Sequence, residues 1–349
     1  MKKRTFAVIG YGGQGGWHAR QILASDVAAL AGVYDIDEAK NKAAERHGMF
    51  AYPSLEAVLA DERVEAVVIA TPNASHKALA VKALEAGKNV VCEKPVEMSC
   101  AAFDEMTSAA ARAGKLFTVH QNRRWDVDYL AIKRMAASGE IGGVIRLESR
   151  IHGSRGIPSD WRRVRAEGGG MLLDWGVHLI DQALQIVREK IVRVCCDQTH
   201  ITCAEVDDGF RLHLDFESGK TAYLEVGTYH FLALPRFYML CERGSAKIED
   251  WRQNAQVAFL KAWNEKDVMP VQAAAGITKT MAPRDERTLD IHEADRPVSD
   301  VHDFYRNFCA ALDGREPILV THQEVRRVLQ VIEAAFQSAE EKQSVRTEI

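Results

Sequence analysis

No stretch of this sequence is apolar for long enough to cross a bilayer, and no two of its cysteines form a C-x-x-C pair. The first absence argues against a membrane partner. The second leaves seven scattered cysteines (Cys92, Cys100, Cys195, Cys196, Cys203, Cys241 and Cys309), most of them among apolar neighbours. They read as small reduced core residues, and no metal site is expected from them. Repeats and low-complexity segments are also missing. So is any excess of basic charge: the net charge is −4, which argues against a general nucleic-acid or anionic-membrane binder. The basic opening, MKKRTFAVIGYGGQGG, lacks the apolar core of a signal peptide, because its run spans only Phe6 to Ile9 before glycines interrupt it. A cytoplasmic protein is the economical reading.

With 349 residues, 47% hydrophobic and 27% charged, the chain has the composition of a soluble globular protein and the length of two domains. Through the first third, short apolar strands (5–10, 28–35, 64–72, 88–95 and 115–122) alternate with helical runs, several of which close on a glycine. Strands apolar throughout at this spacing predict β-α-β units and a parallel sheet covered on both faces. After residue 122 the pattern changes. Residues 143–153, 208–219 and 220–231 alternate polar with apolar, and Ser218-Gly219 marks a hairpin. The fold class expected is α/β: a doubly wound parallel-sheet domain over 1–122, then an α+β domain over 123–349 with a mainly antiparallel open sheet. The segment GGGMLLDWGVHLIDQALQIV should supply a major helix, 262–298 a long loop, and 301–313 and 322–341 the last two helices.

Three features carry chemistry. Gly10, Gly12 and Gly15 stand in G-x-G-x-x-G spacing between the first strand and a helix, where glycines let backbone approach a pyrophosphate and the helix N-terminus favours anions. Asp35 ends the second strand 20 residues beyond Gly15. A carboxylate there accepts from ribose hydroxyls and repels a 2′-phosphate, and Ile36 follows instead of an arginine, so NAD is expected over NADP. Polar clusters also gather at later strand ends: ATPNASH (70–76), EKP (93–95) and HQNRR (120–124). Taken singly, EKP reads equally as a solvated strand end closed by proline. The third feature is the helix after Gly168 to Gly170, where Asp174, His178 and Asp181 are spaced to share one face. There the residues alone leave two readings open: a buried histidine satisfied by an aspartate, or a proton relay in which the aspartate orients the imidazole.

In that order, VIGYGGQG, VYDID, ATPNASH, VCEKP, QNRR and GGGMLLDWGVHLID resemble the Gfo/Idh/MocA oxidoreductases, over essentially the whole chain. The resemblance implies a Rossmann domain, a C-terminal sheet that pairs subunits into homodimers or homotetramers, and oxidation of a secondary hydroxyl on a sugar or cyclitol with NAD(P). By motif position it implies Lys94, Asp174 and His178 as catalytic residues, with a Lys94-Pro95 peptide that is commonly cis in the family. It implies cofactor contacts from the glycine turn (Gly10, Gly12, Gly13, Gln14, Gly15) and Asp35. It implies the same of Thr71, Pro72, Asn73 and His76, and of Glu93, Lys94 and Asn122. Arg124, Trp161 and Arg162 fall where substrate contacts occur, beside Lys94, Asp174 and His178. Acting as a base would require the Lys94 pKa to fall through partial burial and the neighbouring cofactor charge. Two alternatives share the site: a cofactor-recycling glycosidase or epimerase working through a transient 3-keto sugar, and a non-catalytic sugar sensor. Arg150, Arg155, Arg162, Arg163 and Arg165 would suit an acidic sugar, or simply a solvated or oligomeric face.

Overall fold

The computed structural model describes residues 3–261, 268–284 and 287–349. Five parallel strands form the first sheet: β1 (Arg4–Ile9), β2 (Ala28–Tyr34), β3 (Ala66–Ile69), β4 (Asn89–Cys92) and β5 (Phe117–Val119), in the order β2-β1-β3-β4-β5. Every residue of β3 and the last four of β1 are buried, as strands covered on both faces must be. Helices α1 (Gly13–Ala24), α2 (Glu38–Arg46), α3 (Leu55–Ala60), α4 (His76–Glu85) and α5 (Cys100–Ala113) make the crossovers. Their ends follow local chemistry. Asp37 caps α2 and Ser99 caps α5 through side chains that accept backbone N–H groups, and α5 stops at Gly114 in the left-handed conformation.

After α6 (Val127–Ser138) the chain builds the second sheet. Its strands are β6 (Val144–His152), β7 (Ile191–Thr199), β8 (Gly209–Phe216), β9 (Thr221–Gly227), β10 (Phe237–Cys241), β11 (Gly244–Ile248) and β12 (Gln256–Leu260). A small hairpin, β13 (Val271–Ala273) with β14 (Gly276–Thr278), stands apart; β15 (Leu289–Glu293) and β16 (Val345–Arg346) form the two edges. All pairings in the large sheet are antiparallel except β6 with β9. The hairpin at Ser218-Gly219 joins β8 to β9, and alternation in β8 buries Phe210, Leu212, Leu214 and Phe216 beneath exposed or half-buried Arg211, His213 and Asp215. Helices α7 (Val177–Ile186) and α9 (His322–Glu341) cover the buried face.

Two expectations need correction. The segment 262–298 is not a plain loop: β13, β14 and β15 lie in it, although 262–267 and 285–286 fall outside the described residues. The glycine-triplet helix is not uniformly α, because Leu172–Gly176 is a π turn ahead of α7. Late in the chain, α8 (Asp303–Leu312) returns to the first sheet, setting Tyr305 and Phe308 against Phe6 with ring centroids 6.1 and 5.7 Å away. Among the described residues no helix is long and apolar enough to cross a membrane.

Candidate active site

The carboxyl ends of β1 to β5 face the π turn across a cleft of about 1300 Å³, larger than one drug-sized ligand needs. One end is made by the glycine turn. A Cβ on Gly15 would sit 1.8 Å from the Gly10 carbonyl oxygen, so only glycine lets α1 pack this tightly on the turn. Gly12 and Gly13 instead have open space where a Cβ would point, and no side chain caps α1. That leaves a cradle of N–H groups facing the cleft. Asp35 is buried beside it. Its Oδ2 accepts from Tyr11 N at 2.7 Å and its Oδ1 from Asp37 N at 2.9 Å, each oxygen retaining a further lone pair.

The other end is built from side chains of distant segments. Lys94 Nζ donates to Asp174 twice, to Oδ1 at 3.0 Å and to the backbone carbonyl at 2.8 Å. Arg162 Nε donates to Asp174 Oδ2 at 2.8 Å. Burial pushes the Asp174 carboxyl up, but Lys94 and Arg162 outweigh it and hold its pKa below the ordinary range. The Lys94–Pro95 peptide is cis. The backbone of the triplet is crowded: Gly170 has φ +106°, and a Cβ there would lie 2.3 Å from Asp207 Oδ1. Asp207 Oδ2 in turn accepts from Leu172 N at 2.8 Å, fixing the start of the π turn.

His178 lines the same cleft, and its buried Nδ1 has no hydrogen-bond partner among the described residues. Burial, and then the charge of Lys94, drive its pKa well below the usual imidazole value, so the ring is uncharged at neutral pH. Asp174 does not orient it, since the aspartate is committed to Lys94 and Arg162. Both open readings, an aspartate satisfying His178 and an aspartate orienting it in a relay, give way to a Lys94–Asp174–Arg162 set, with His178 left without a partner among the described residues.

Of the residues anticipated for cofactor, Gly10, Gly12, Gly13, Gln14, Asp35, Thr71, Pro72, Asn73, Glu93, Lys94 and Asn122 all line the cleft. Gly15 supports the turn from beneath. His76 is buried off the cleft, between the carbonyls of Thr71 and Pro95 at 2.9 and 3.0 Å. Trp161 and Arg162 reach the cleft, and Arg124 does not. Its buried guanidinium binds Asp181 through Nε at 2.7 Å and NH2 at 2.5 Å, and Glu324 through NH1 at 2.9 Å. Asp181 is thereby taken out of the expected stripe. Arg123 lines the cleft instead, stacked 4.1 Å over the Trp175 ring, and neither residue was singled out from sequence. The short 3₁₀ turn over Asn122–Trp125 decides which arginine faces inward, and a dipeptide carries no signal of that. Among the other arginines, Arg150 pairs with Glu148 and Glu225 on the second sheet, while Arg163 and Arg165 bind the carbonyls of Thr202 and Glu205.

Two trios of metal-ligating type occur among the described residues. His18, Glu93 and His120 are already joined by hydrogen bonds. His152 and His230 stack with planes 6° apart, so their lone pairs run side by side instead of converging with Glu225 on one point.

The profile of an oxidoreductase family with an NAD-binding Rossmann fold matches residues 4–121, and that of the GFO/IDH/MocA C-terminal domain matches 129–247. The chain belongs to the Gfo/Idh/MocA family. An NAD-binding protein from Listeria innocua superposes with TM-score 0.96 at 44% identity, covering 99% of this chain and 100% of that one. The scyllo-inositol 2-dehydrogenase (NADP(+)) IolW of Bacillus subtilis is 27% identical over 298 residues, 84% of this chain and 82% of that enzyme. An inositol 2-dehydrogenase of Saccharopolyspora erythraea is 34% identical over 229 residues, 64% of this chain and 66% of that one. The chain spans about half the length of several other curated relatives that it matches.

Proposed function

We propose that this Gfo/Idh/MocA protein is a dehydrogenase that oxidises a secondary hydroxyl of a sugar or cyclitol, with NAD as the preferred cofactor. The observation that carries the reading is His178, whose buried Nδ1 lacks a partner among the described residues, lining one cleft with the Lys94–Asp174 pair and the glycine cradle. The cradle fits a dinucleotide: Gly12 and Gly13 leave room for phosphate, uncapped N–H groups face it, and the Asp35 carboxylate would repel a 2′-phosphate. When bound, the cofactor supplies the hydride acceptor.

The chain's own groups do the rest. Lys94 donates a hydrogen bond to the substrate hydroxyl oxygen and stabilises the charge that develops there. His178 accepts the hydroxyl proton. Asp174 holds Lys94 through both its carboxylate and its backbone carbonyl, and Arg162 anchors Asp174. The cleft's substrate end carries Lys94, Arg123 and Arg162 against Asp160, Glu167 and Asp174, with Trp161 and Trp175 alongside. Balanced charge and flat rings suit an uncharged ring polyol better than a sugar acid. The names of the inositol dehydrogenases among its relatives support the same substrate class.

The face of the second sheet opposite α7 and α9, with half-buried Arg150, Tyr223 and Glu225 on it, supports self-association into a dimer or tetramer. Seven unpaired cysteines support a reducing, cytoplasmic setting. The deciding experiment is NADH release against inositols, aldoses, sugar acids and glycosides. NADH accumulating with a cyclitol or neutral sugar is the expected result. Consumption of a glycoside without net NADH would replace net oxidation with cofactor-recycling chemistry.

A further inference from the structure

Glu93, just past the end of β4, is buried and accepts four hydrogen bonds. Its Oε1 takes Gln14 Nε2 at 2.9 Å, His18 Nε2 at 2.8 Å and His120 Nδ1 at 2.7 Å, and its Oε2 takes the backbone N–H of Lys94 at 3.0 Å. The string continues through His18, whose Nδ1 lies 2.5 Å from the hydroxyl of Tyr305, a residue of α8 and 287 positions away. A carboxylate only accepts, so a neutral His18 carries its proton on Nε2 and accepts the Tyr305 hydroxyl at Nδ1. Burial, with His120 adding to it, takes the His18 pKa down to about 4, which makes it such an uncharged donor at neutral pH. For Glu93 burial acts upward, but His120 and His18 outweigh it and hold the carboxyl well below the ordinary range. No lysine or arginine side chain pairs with it among the described residues. The result is a fixed anion in the cleft wall, between Gln14 of the glycine turn and Lys94.

We infer that Glu93 is the counter-charge for the nicotinamide ring in its oxidised, cationic form, and that His18 and Tyr305 are positioning residues which keep that charge in place. The inference rests on the dehydrogenase reading above and adds to it a preference between redox states. The ring charge is present in NAD⁺ and absent in NADH, so a carboxylate beside it stabilises only the oxidised complex. In a partly hydrated site such a charge pair is worth roughly a tenfold difference in Kd.

The test is the ratio Kd(NADH)/Kd(NAD⁺), read by NADH fluorescence and by competition with NAD⁺, in wild type, Glu93→Gln and Tyr305→Phe. The ratio should fall roughly tenfold in Glu93→Gln. It should fall about two- to threefold in Tyr305→Phe, which removes the donor to His18 and leaves Glu93 and the cleft lining in place. A merely structural lesion weakens both forms together and leaves the ratio alone. If wild type binds both nucleotides and neither variant changes the ratio, the inference falls and the dehydrogenase reading stands. If wild type binds neither, both fall. Should Glu93→Gln fail to fold, the Tyr305→Phe ratio decides alone.

Discussion

The two ends of the cleft are built in opposite ways. At the glycine end the contacts offered to a ligand are backbone N–H groups from one short loop, joined by a single buried carboxylate, Asp35. At the other end nearly every group is a side chain: Lys94, Arg162 and Asp174, held together by ion pairs across the molecule, and His178 beside them. The first design is set by local geometry and the second by tertiary packing. Each should therefore break in its own manner: the glycine end through backbone displacement, the lysine end through loss of a single functional atom.

The largest expected effect is at the lysine end. Lys94→Ala should lower kcat by about 10²–10⁴-fold, while NAD⁺ still titrates with an affinity close to that of wild type. A variant that keeps more than a few per cent of wild-type kcat at neutral pH would remove Lys94 from its role. Next in size is a test of the two neighbouring arginines. Arg124→Met strips the partner from buried Asp181 and should cost about 3–5 kcal/mol in urea unfolding, with KM unchanged in the folded fraction. Arg123→Ala should do the reverse, raising KM roughly tenfold at little cost in stability. Equal effects of the two substitutions would mean the 3₁₀ turn does not separate their roles. At the glycine end, Gly15→Ala drives a Cβ into the Gly10 carbonyl. We expect about 2–4 kcal/mol of destabilisation and a rise in the Kd for both NAD⁺ and NADH, visible in thermal melts and nucleotide titration.

The same contrast explains what was legible in the sequence. The parallel sheet, the glycine turn and Asp35 could be read because periodicity and spacing act within 30 residues of one another. Lys94, Asp174 and His178 could be named from motif positions, but not how they connect. Spacing put Asp174 and His178 on one face, yet Asp174 is claimed by Lys94 and by Arg162, whose approach depends on an irregular loop. Strand β12, the edge strand β15 and the hairpin β13–β14 were also missed. They are short, and most of their side chains are half-buried or exposed, so hydrophobic patterning is weak there. The return of Tyr305 to His18 has no local signature at all, because it joins segments at opposite ends of the chain.

The smallest prediction concerns protons. His18, His76 and His178 are each held below the ordinary imidazole value of 6.5, burial being the first cause in all three. The unfolded chain takes up protons near 6.5 that the folded chain refuses, so stability is full above that pH and declines as pH falls toward the folded values, about 4 for His18. Asp207 opposes this: burial raises it to about 6, so between about 6 and 4 the folded state binds the extra proton and gains stability as pH falls. With His230 also held low by burial, four imidazoles stand against the burial-raised carboxyls Asp126, Asp181 and Asp207 and leave a net loss on the acid side, each group contributing at most about 1.4 kcal/mol per pH unit. Melting curves between pH 7 and 5 should show a falling Tm, and His178→Asn should flatten that fall by about 2–4 °C. Gly15→Ala should lower the whole curve and keep its slope, because no titrating group is removed at the glycine end. A His178→Asn curve parallel to wild type would show that His178 charges freely in the folded protein, and so is not the uncharged proton acceptor that the lysine end requires.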